Sequence, residues 1–567
     1  MVNIAVVGSG VSGLAATWLL NEHSDHEVHL FEKGTYVGGH THTVPFKQPR
    51  NPTASPVPVD TGFIVFNEVT YPNFLRFLEL KKINITGSDM SFAVSRDAGE
   101  YEWAGKTPAT LFAQWQTLFS PAQWRLVWDI IRFNAFSTEI LEQVKSEAKA
   151  SSSAAGQSIG RYIEKEGYSE SFKNNYLLPM TAAIWSTPPD RCALDFPAQT
   201  LIRFMHNHHL LQLFDRPRWL TIQNGSISYI NAITKSLPPK RLHLNTAVTA
   251  VTNTGEGQVM LTLQDGSKQV YDHVILAVHA DEALEMLLNG ADGATREEAE
   301  ILGGFQFNKN VAYLHSDPDL MPKRRVAWSA WNYMTKSEEK SDAVDTISLT
   351  YWMNLLQNID EKEHGDVLVT LNPLTKPKPA LTVGHWNYEH PLYTEQSVAS
   401  QGNLHRIQAK RGVTFAGAWT NYGFHEDGFT SGLRVATTYL GVKPPFEIRS
   451  AERQTRSDAL SEAGKLIIEC LDFGRRLLEP FFVAAMIMLV FTALAWEHVL
   501  MPLELALRRT TSIAPGILSR RRERAAGTLR ESRQLIRQLR KYWATAAGRP
   551  NPRGPRAALK PTNKKMR

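Results

Sequence analysis

The first forty residues change their hydrophobic periodicity twice. Ile4-Ala5-Val6-Val7 is a short apolar run of the kind found in buried strands. From Leu14 the apolar residues recur at helical spacing, and Val28-His29-Leu30-Phe31 is again strand-like. The pattern therefore predicts a strand, a helix and a second strand in one short unit.

Periodicity predicts further elements along the chain. A proline-rich loop or hairpin is expected over 44–59, a helix over 71–80 and a strand pair over 91–103. Residues 108–214 are predicted to be mostly helical, with a core helix over 177–185. A helix is predicted to begin at residues 224–226. Strands are predicted at 242–250, 259–263, 269–271, 274–278, 311–314, 346–352, 367–371 and 413–419, with a helix from Leu433.

Three glycines occupy the turn between the first strand and the first helix. Gly8, Gly10 and Gly13 form a GxGxxG motif, and Glu32 ends the second strand. In such a unit the glycines permit a tight turn, close backbone approach to a pyrophosphate, and close helix–strand packing. The helix N-terminus favours the phosphates, and the acid is placed to bind a ribose. This arrangement predicts a dinucleotide site.

A second glycine pair, Gly38-Gly39, follows Glu32 closely and precedes His40. An acid followed by a Gly-Gly pair after the first βαβ unit resembles the flavin-containing amine oxidase superfamily. This resemblance implies FAD as the dinucleotide. The family usually has Arg after the pair, so His40 is a departure.

The resemblance extends to the C-terminal half. A strand ending in Phe415-Ala416-Gly417-Ala418 and the segment 423–432 resemble the strand and helix that close the FAD site in this superfamily. There the helix dipole faces the flavin edge that becomes anionic on reduction. The resemblance implies these FAD-binding residues: Gly8, Gly10, Ser12, Gly13, Glu32, Lys33, Gly38, Gly39, His40, Asp60, Gly62, Val248, Gly417, Ala418, Asp427, Gly428 and Ser431.

Several longer segments are similar to one branch of the superfamily, the predicted NAD/FAD-binding flavoproteins. They are VDTGFIVFNEVTYPN, LLPMTAAIWST, NKNVAYLHSD, LTYWMN and FAGAWTNYGFHEDGFTSGL, and the resemblance covers residues 1–440. Proteins of this branch occur beside, or fused to, cyclopropane fatty-acid synthase-like enzymes. The resemblance therefore implies a lipid acyl chain as substrate.

Few protein groups are needed for catalysis, because the flavin itself accepts the hydride. Trp419, Tyr422 and Phe424 lie where amine oxidases place an aromatic cage, although a core role fits them equally. His425 is a candidate for catalysis or flavin tuning, with helix capping as the alternative. Lys309, or its neighbour Asn310, lies near the place of a lysine that contacts the flavin through water in many amine oxidases.

The cysteine and histidine content indicates which covalent links and metal sites the chain can form. The two cysteines, Cys192 and Cys470, exclude a disulfide framework and indicate a reducing compartment. Neither lies in the C-terminal flavin motif, so FAD is expected to bind non-covalently. The histidines at 206, 208 and 209 lack the spacing and partners of a metal site, and no metal is expected.

The C-terminal segment has a different character. Residues 480–496 are seventeen consecutive uncharged positions, the lower limit for a membrane-spanning helix, with a buried core helix as the rival. Residues 508–567 contain 18 Lys+Arg and 2 Asp+Glu, a charge of +16 within a chain whose net charge is +6. Apolar positions 529, 536, 539 and 543 share one helical face among basic residues, which predicts a helix on anionic lipid rather than on nucleic acid.

Together these patterns predict an α/β chain with a Rossmann-type FAD-binding domain of the glutathione reductase/amine oxidase-like kind. An α+β substrate domain, a membrane helix and a basic helical tail are also predicted. The expected segments are FAD-binding parts at 1–75, 221–290 and 405–445; a helical cap at 76–220; a substrate-domain sheet at 291–404; a linker at 446–476; a membrane segment at 477–501; and a tail at 502–567.

The predicted function is that of a membrane-anchored FAD-dependent oxidoreductase, single-pass or monotopic, with its catalytic part in the cytosol. Its substrate is expected to be apolar, a lipid or fatty-acyl chain. The alternatives are an amine oxidase that releases hydrogen peroxide, a flavin-dependent isomerase or desaturase, and a non-catalytic FAD-binding membrane protein.

Overall fold

The computed structural model describes residues 1–49, 51, 53, 55–141, 157–185, 194, 196–212, 217–255, 257–336, 346–451 and 464–475. The chain divides into two compact units. One of them, Met1–Leu211 with Pro217–Val483, contains every element below.

The strands of the described residues are β1 Asn3–Val7, β2 Glu27–Phe31, β3 Thr43–Phe46, β4 Val57–Asp60, β5 Phe66–Asn67, β6 Ile85–Gly87, β7 Phe92–Arg96, β8 Tyr101–Ala104, β9 Trp219–Ile222, β10 Leu242–His243, β11 Val248–Asn253, β12 Val259–Leu263, β13 Lys268–Tyr271, β14 His273–Leu276, β15 Gln306–His315, β16 Trp331–Lys336, β17 Thr346–Trp352, β18 Leu368–Leu371, β19 Thr382–Leu392 and β20 Val413–Phe415.

The helices are α1 Val11–His23, α2 Pro72–Leu80, α3 Pro108–Leu111, α4 Pro121–Phe136, α5 Ile159–Lys165, α6 Glu170–Phe172, α7 Leu178–Trp185, α8 Ala198–Asn207, α9 Ile227–Thr234, α10 Ala280–Leu288, α11 Arg296–Leu302, α12 Met353–Leu356, α13 Glu361–His364, α14 Glu395–Asn403 and α15 His425–Arg434. A further helix covers 464–475. Short π-helical turns, Lys173–Leu177 and Val435–Tyr439, precede α7 and follow α15.

A five-stranded parallel sheet forms the centre of the fold, in the order β10-β2-β1-β14-β20. Its strands come from three distant parts of the chain and are buried on both faces, as parallel sheets are. The carboxyl ends of parallel strands lie at one edge of a sheet, where ligands of such folds bind. The glycine motifs after β1 and β20 both begin at this edge.

A second, seven-stranded sheet has the order β19-β15-β18-β17-β16-β7-β8. The strands predicted at 311–314, 346–352 and 367–371 are its members β15, β17 and β18. The sequence analysis missed β16 and β19. Alternate residues at the start of β19 are exposed, so that strand lacks a continuous apolar run.

Helices α3 to α8 cover one side of this sheet, as the aromatic spacing of 108–214 predicted. Their shared core contains Phe133, Phe172, Leu201 and Phe204. The predicted core helix at 177–185 is α7, preceded by the π-helical turn.

Short-range predictions were mostly confirmed. The proline-rich stretch is the antiparallel hairpin β3–β4, residues 71–80 contain α2, and β12 and β13 pair as the predicted hairpin. The strand pair at 91–103 is β7–β8, and residues 274–278 contain most of β14.

Two boundary predictions were wrong. Residues 242–250 are not one strand: β10 pairs with β2, Asn245 takes a left-handed φ of 52°, and β11 then begins a different sheet. The last helix begins at His425 rather than Leu433. The Asp427 carboxylate accepts the Phe424 backbone N–H at 2.9 Å and so caps the earlier turn.

Among the described residues, no helix is long and apolar enough to cross a membrane. The predicted membrane segment at 480–496, the basic tail and Cys192 lie outside the described residues.

Candidate functional site

The turn from β1 into α1 is built around two glycines that admit no side chain. Gly8 has a left-handed φ of 98°, and a Cβ there would lie 2.6 Å from the carbonyl oxygen of Ala277. A Cβ on Gly13 would overlap the carbonyl oxygen of Gly8. Glycine at both positions is therefore required by packing alone.

Gly10 is different, because it faces open space. A Cβ at Gly10 would meet no protein atom within 4 Å, and Gly10 is the N-cap residue of α1. The second glycine pair borders the same space, since a Cβ on Gly39 would lie 3.3 Å from the Gly10 Cα. Gly38 donates its backbone N–H to Ser9 Oγ at 3.2 Å. Two glycine-rich turns thus enclose an opening at a helix N-terminus, where backbone N–H groups favour phosphate.

Glu32 lies beside this opening, as predicted for the ribose acid. Its carboxylate accepts the backbone N–H groups of Ser9 at 3.0 Å and Gly34 at 2.7 Å. The segment that leads into β11 runs alongside, because Thr246 donates its N–H to the carbonyl of Glu32 at 2.9 Å. Val248 is the buried first residue of β11. Glu32 and Val248 therefore lie on neighbouring segments.

Lys33 and Lys309 both lie in surface ion pairs. Lys33 pairs with Glu282, and Lys309 lies 3.7 Å from Glu389 with 85% of its side chain exposed. Asn310, the neighbouring alternative, is fully buried on β15. Since side chains alternate across a strand, only Asn310 of these two points into the protein.

Asp60 and Gly62 fix the hairpin to the glycine loop. The buried Asp60 carboxylate accepts hydrogen bonds from Thr43 Oγ1 and from the backbone N–H and hydroxyl of Ser226. Burial raises the pKa of Asp60 to about 6, which these hydrogen bonds oppose. A Cβ on Gly62 would overlap the carbonyl oxygen of His40.

The second glycine-rich segment packs directly on α1. A Cβ on Gly428 would lie 2.5 Å from Val11 Cγ1 and 3.0 Å from Ser12 Oγ, and one on Gly432 would overlap the Ser12 carbonyl oxygen. Ser431 Oγ accepts the backbone N–H of Gly417 at 3.2 Å, next to Ala418. The two predicted motifs, some 400 residues apart, therefore meet, and the N-termini of α1 and α15 come together.

His425 occupies a buried position between aromatic rings. Its ring stacks on Phe63 with centroids 3.6 Å apart, and its Nε2 lies 3.0 Å from the hydroxyl of Tyr229. That hydroxyl is 2.8 Å from Thr41 Oγ1. Burial lowers the pKa of His425 to about 3, so the imidazole is neutral. His425 therefore positions the start of α15 within a hydrogen-bonded chain, and its side chain caps nothing.

The two acids after His425 tie α15 to its neighbours. Glu426 accepts the backbone N–H groups of Asn73 and Phe74, both at 3.0 Å, and so caps α2 from a distant part of the chain. Burial raises the pKa of Glu426 to about 8 and that of Asp427 to about 6.

Three C-terminal aromatic residues have different surroundings. Trp419 is core, because it is buried against Phe305 and donates its indole N–H to the Val278 carbonyl at 3.0 Å. Tyr422 and Phe424 instead pack on the helical layer, where the Phe424 ring stacks on Phe204 with centroids 4.9 Å apart. Of the three predicted cage residues, Tyr422 and Phe424 therefore pack on the helical layer and Trp419 belongs to a different core cluster.

Histidines that the sequence analysis did not connect cluster beside the Gly38-Gly39 turn. The ring centroid of His40 lies 5.2 Å from that of His390 and 5.1 Å from that of Tyr388. His390 Nδ1 lies 2.8 Å from Asn310 Nδ2. Burial lowers the pKa of His40 well below its usual value and that of His390 to about 4. His390 and Tyr388 come from β19, whose weak pattern hid them.

A cavity of about 470 Å³ runs beside α15. Its walls include His208, Tyr422, Phe424, Asp427 and Arg434. Burial lowers the pKa of His208 to about 3. Among the described residues, no group of three or more His, Cys, Asp or Glu side chains is placed to hold a metal ion.

The residues at the β1–α1 turn fit FAD. The open space at Gly10 suits a pyrophosphate, and the buried His40 Nε2 has no hydrogen-bond partner among the described residues. An unpartnered buried nitrogen is costly unless a ligand completes it.

Comparisons with known proteins agree with this geometry. A family model described as flavin containing amine oxidoreductase matches residues 11–439. A fatty acid isomerase from P. acnes, which produces CLA, has a similar structure, with 13% identity, a TM-score of 0.52, and coverage of 77% of this chain and 99% of that one. Cyclohexylamine oxidase from Brevibacterium oxydans IH-35A is similar at 13% identity and a TM-score of 0.52, covering 77% and 98%.

Reduced UDP-galactopyranose mutase is also similar in structure, at 17% identity and a TM-score of 0.50, covering 78% of this chain and 94% of that one. A search of curated protein sequences gave no match. The family match, which extends from α1 to the end of α15 and beyond, covers most of the chain. The chain therefore belongs to the flavin-containing amine oxidoreductase family and is an FAD-dependent oxidoreductase.

Proposed function

We propose that this protein oxidises an apolar substrate, a lipid or fatty-acyl chain, while attached to a membrane. FAD supplies the chemistry by accepting a hydride from a substrate C–H bond at flavin N5. The remaining work belongs to the protein, which has to bind the chain, hold it in place and exclude water.

The observation that carries the proposal is the aromatic cluster at the start of α15, which makes one part of the neighbouring cavity apolar while Asp427 and Arg434 make another part polar. Tyr422 and Phe424 pack against the helical layer, and the buried Tyr393 belongs to the same apolar cluster. His208, which lines the cavity, is neutral, since burial lowers its pKa to about 3. An aromatic surface of this kind favours alkyl chains, because burying apolar surface stabilises the complex.

A chain of neutral polar side chains lies on β15 and its neighbouring strands. Asn310 bridges His390 and Asn372, with Nδ2 to Nδ1 and Oδ1 to Nδ2 distances of 2.8 Å and 2.6 Å. Asn310, rather than the exposed Lys309, is therefore the residue of this strand suited to hold the His390 ring in place.

Membrane attachment is proposed from the sequence. The uncharged segment 480–496 precedes a tail of charge +16, which matches an apolar anchor followed by a segment attracted to anionic lipid. The catalytic part is proposed to lie on the cytosolic side, with segment 480–496 either carrying the tail across the membrane or lying in it as a shallow anchor.

Anaerobic spectroscopy of the full chain in detergent tests the proposal. The flavin absorption bands are expected to bleach when membrane lipid extract is added. Tyr422→Asp, which places a charge in the aromatic wall, should keep the flavin bands but lose bleaching, whereas Val326→Asp on the exposed surface should behave as wild type.

Other outcomes contradict the proposal. Bleaching by amines alone, with hydrogen peroxide released in air, would identify an amine oxidase. A changed lipid product without any electron acceptor would identify an isomerase. A flavin that no candidate substrate reduces would favour a non-catalytic role.

A further inference from the structure

Helix 464–475 has its polar and apolar faces reversed. The side chains that it turns toward the protein are charged, and most of its large apolar side chains face solvent. A surface helix of a water-soluble domain shows the opposite arrangement. The reversed arrangement must therefore be explained by the groups that each face of the helix contacts.

The inward face is held by polar contacts to α4. Asp472 Oδ1 accepts the indole N–H of Trp128 at 2.9 Å and the Arg475 Nε–H at 2.9 Å. It also lies 3.6 Å from Arg132 Nε, and Lys465 pairs with Glu139 at 2.9 Å. Residue 465 is thus near the end of α4 and residue 472 near its middle, so the two helices run antiparallel. These buried ionic contacts fix which face points outward.

The outward face carries large apolar side chains. Leu466 and Ile467 are each 59% exposed and Phe473 is 66% exposed, with Leu471 on the same helix also exposed. A short helical turn, Trp115–Phe119, leads into the start of α4, which is the end toward which helix 464–475 runs. Its Trp115 and Phe119 are 68% and 64% exposed. We name these six side chains the apolar ledge.

We infer that the apolar ledge lies in the interfacial region of a lipid bilayer. Its chemistry fits this partner, because exposed aromatic and aliphatic side chains are typical of the lipid-facing side of helices that lie in a membrane interface. The chain continues from this helix through Arg475 and Arg476 into the uncharged residues 480–496 and the basic tail. The inference rests on the proposed membrane association but not on the proposed substrate.

The ledge is connected to the candidate site through one apolar core. Helix α4 contributes Leu126 and Phe133 to the cluster that also contains Tyr393 and contacts Tyr422 and Phe424. A bilayer at the ledge would therefore lie against the helical layer that covers the site.

A polarity-sensitive fluorophore on Cys470 tests the inference in the full chain. Cys470 is exposed on helix 464–475, and Cys192→Ser leaves it as the one thiol. On addition of phosphatidylcholine–phosphatidylglycerol vesicles, the emission is expected to shift to the blue. The same fluorophore on Val270→Cys, in a chain that lacks both native cysteines, reports the exposed surface of β13 and should not shift.

A matched pair of variants locates the contact. Ile467→Glu combined with Phe473→Glu should reduce the blue shift at Cys470 by at least about twofold in vesicle-bound protein, because charged side chains leave the interface. Leu288→Glu on α10 is the control, since Leu288 is 58% exposed and lies outside the ledge. Retained flavin absorption shows that each variant is folded.

Three outcomes would overturn the inference. Vesicle binding without a shift at Cys470 would leave membrane association intact but remove the ledge from the interface. No vesicle binding would remove both. A concentration-dependent shift without vesicles would assign the ledge to a second copy of the chain.

Discussion

Replacing Gly10 with alanine should separate cofactor binding from folding. The added Cβ would meet no protein atom within 4 Å, and the φ of −62° at Gly10 is allowed for alanine. Alanine is a poorer N-cap than glycine by up to about 1 kcal/mol. Alanine also restricts the unfolded chain more than glycine does, and this stabilises the folded protein by about 0.4–1 kcal/mol. The apoprotein should therefore unfold at nearly the wild-type temperature.

FAD binding should respond much more strongly. The new methyl group occupies the space where the pyrophosphate approaches the N-terminus of α1, and so lengthens one or two N–H···O contacts to a charged group. Each such hydrogen bond contributes about 1.5–3 kcal/mol. Because about 1.4 kcal/mol corresponds to a tenfold change, the Kd for FAD should rise roughly 10- to 100-fold.

Thermal unfolding of the apoprotein and fluorescence titration with FAD measure the two effects separately. Gly13→Ala is the contrasting variant, since its Cβ would overlap the Gly8 carbonyl oxygen and should destabilise the apoprotein itself. A Gly10→Ala protein that binds FAD with the wild-type Kd would refute the placement of the pyrophosphate. Equal destabilisation of both apoproteins would refute the claim that Gly10 faces open space.

Two further predictions concern α15. Gly432→Ala should weaken FAD binding and destabilise the protein by roughly 1–3 kcal/mol in a denaturant titration, because its Cβ would overlap the Ser12 carbonyl oxygen and force α1 and α15 apart. The control is Gly402→Ala on α14. Its Cβ would meet no atom of the described residues within 4 Å, so this variant should be neutral or slightly stabilising in the same titration. The buried His425, with its pKa lowered to about 3, stays neutral as the pH falls through 6.5 while the unfolded chain takes up a proton, so this one group should lower stability by about 1.4 kcal/mol per pH unit between pH 6.5 and 4. His425→Gln should remove that contribution from the slope of stability against pH in urea unfolding, and an unchanged slope would contradict a buried neutral imidazole.

Predictions from local sequence pattern were accurate for elements whose structure depends only on residues that are adjacent in the sequence. The GxGxxG turn, α1, β2 and Glu32 follow from spacing, because a turn, a helix face and a strand face each involve only a few adjacent residues. Gly13 confirms this, since the carbonyl oxygen that would collide with its Cβ belongs to Gly8 of the same unit, whereas a Cβ at Gly8 would meet the distant Ala277. The core role of Trp419 could not be separated from a cage role, because the residues around it come from β14 and the turn before β15.

The sequence by itself determined the strand, glycine turn and helix of a dinucleotide-binding unit, and it predicted that a second glycine-rich segment near residue 430 completes the site. Tertiary structure alone decided the state of individual side chains. It made His425 neutral by burying it against Phe63, exposed Lys309 and buried Asn310. It also turned the apolar side of helix 464–475 outward by engaging Asp472 with α4. The reason is physical: periodicity records which residues share a face, whereas protonation and exposure depend on the distant segments that cover that face.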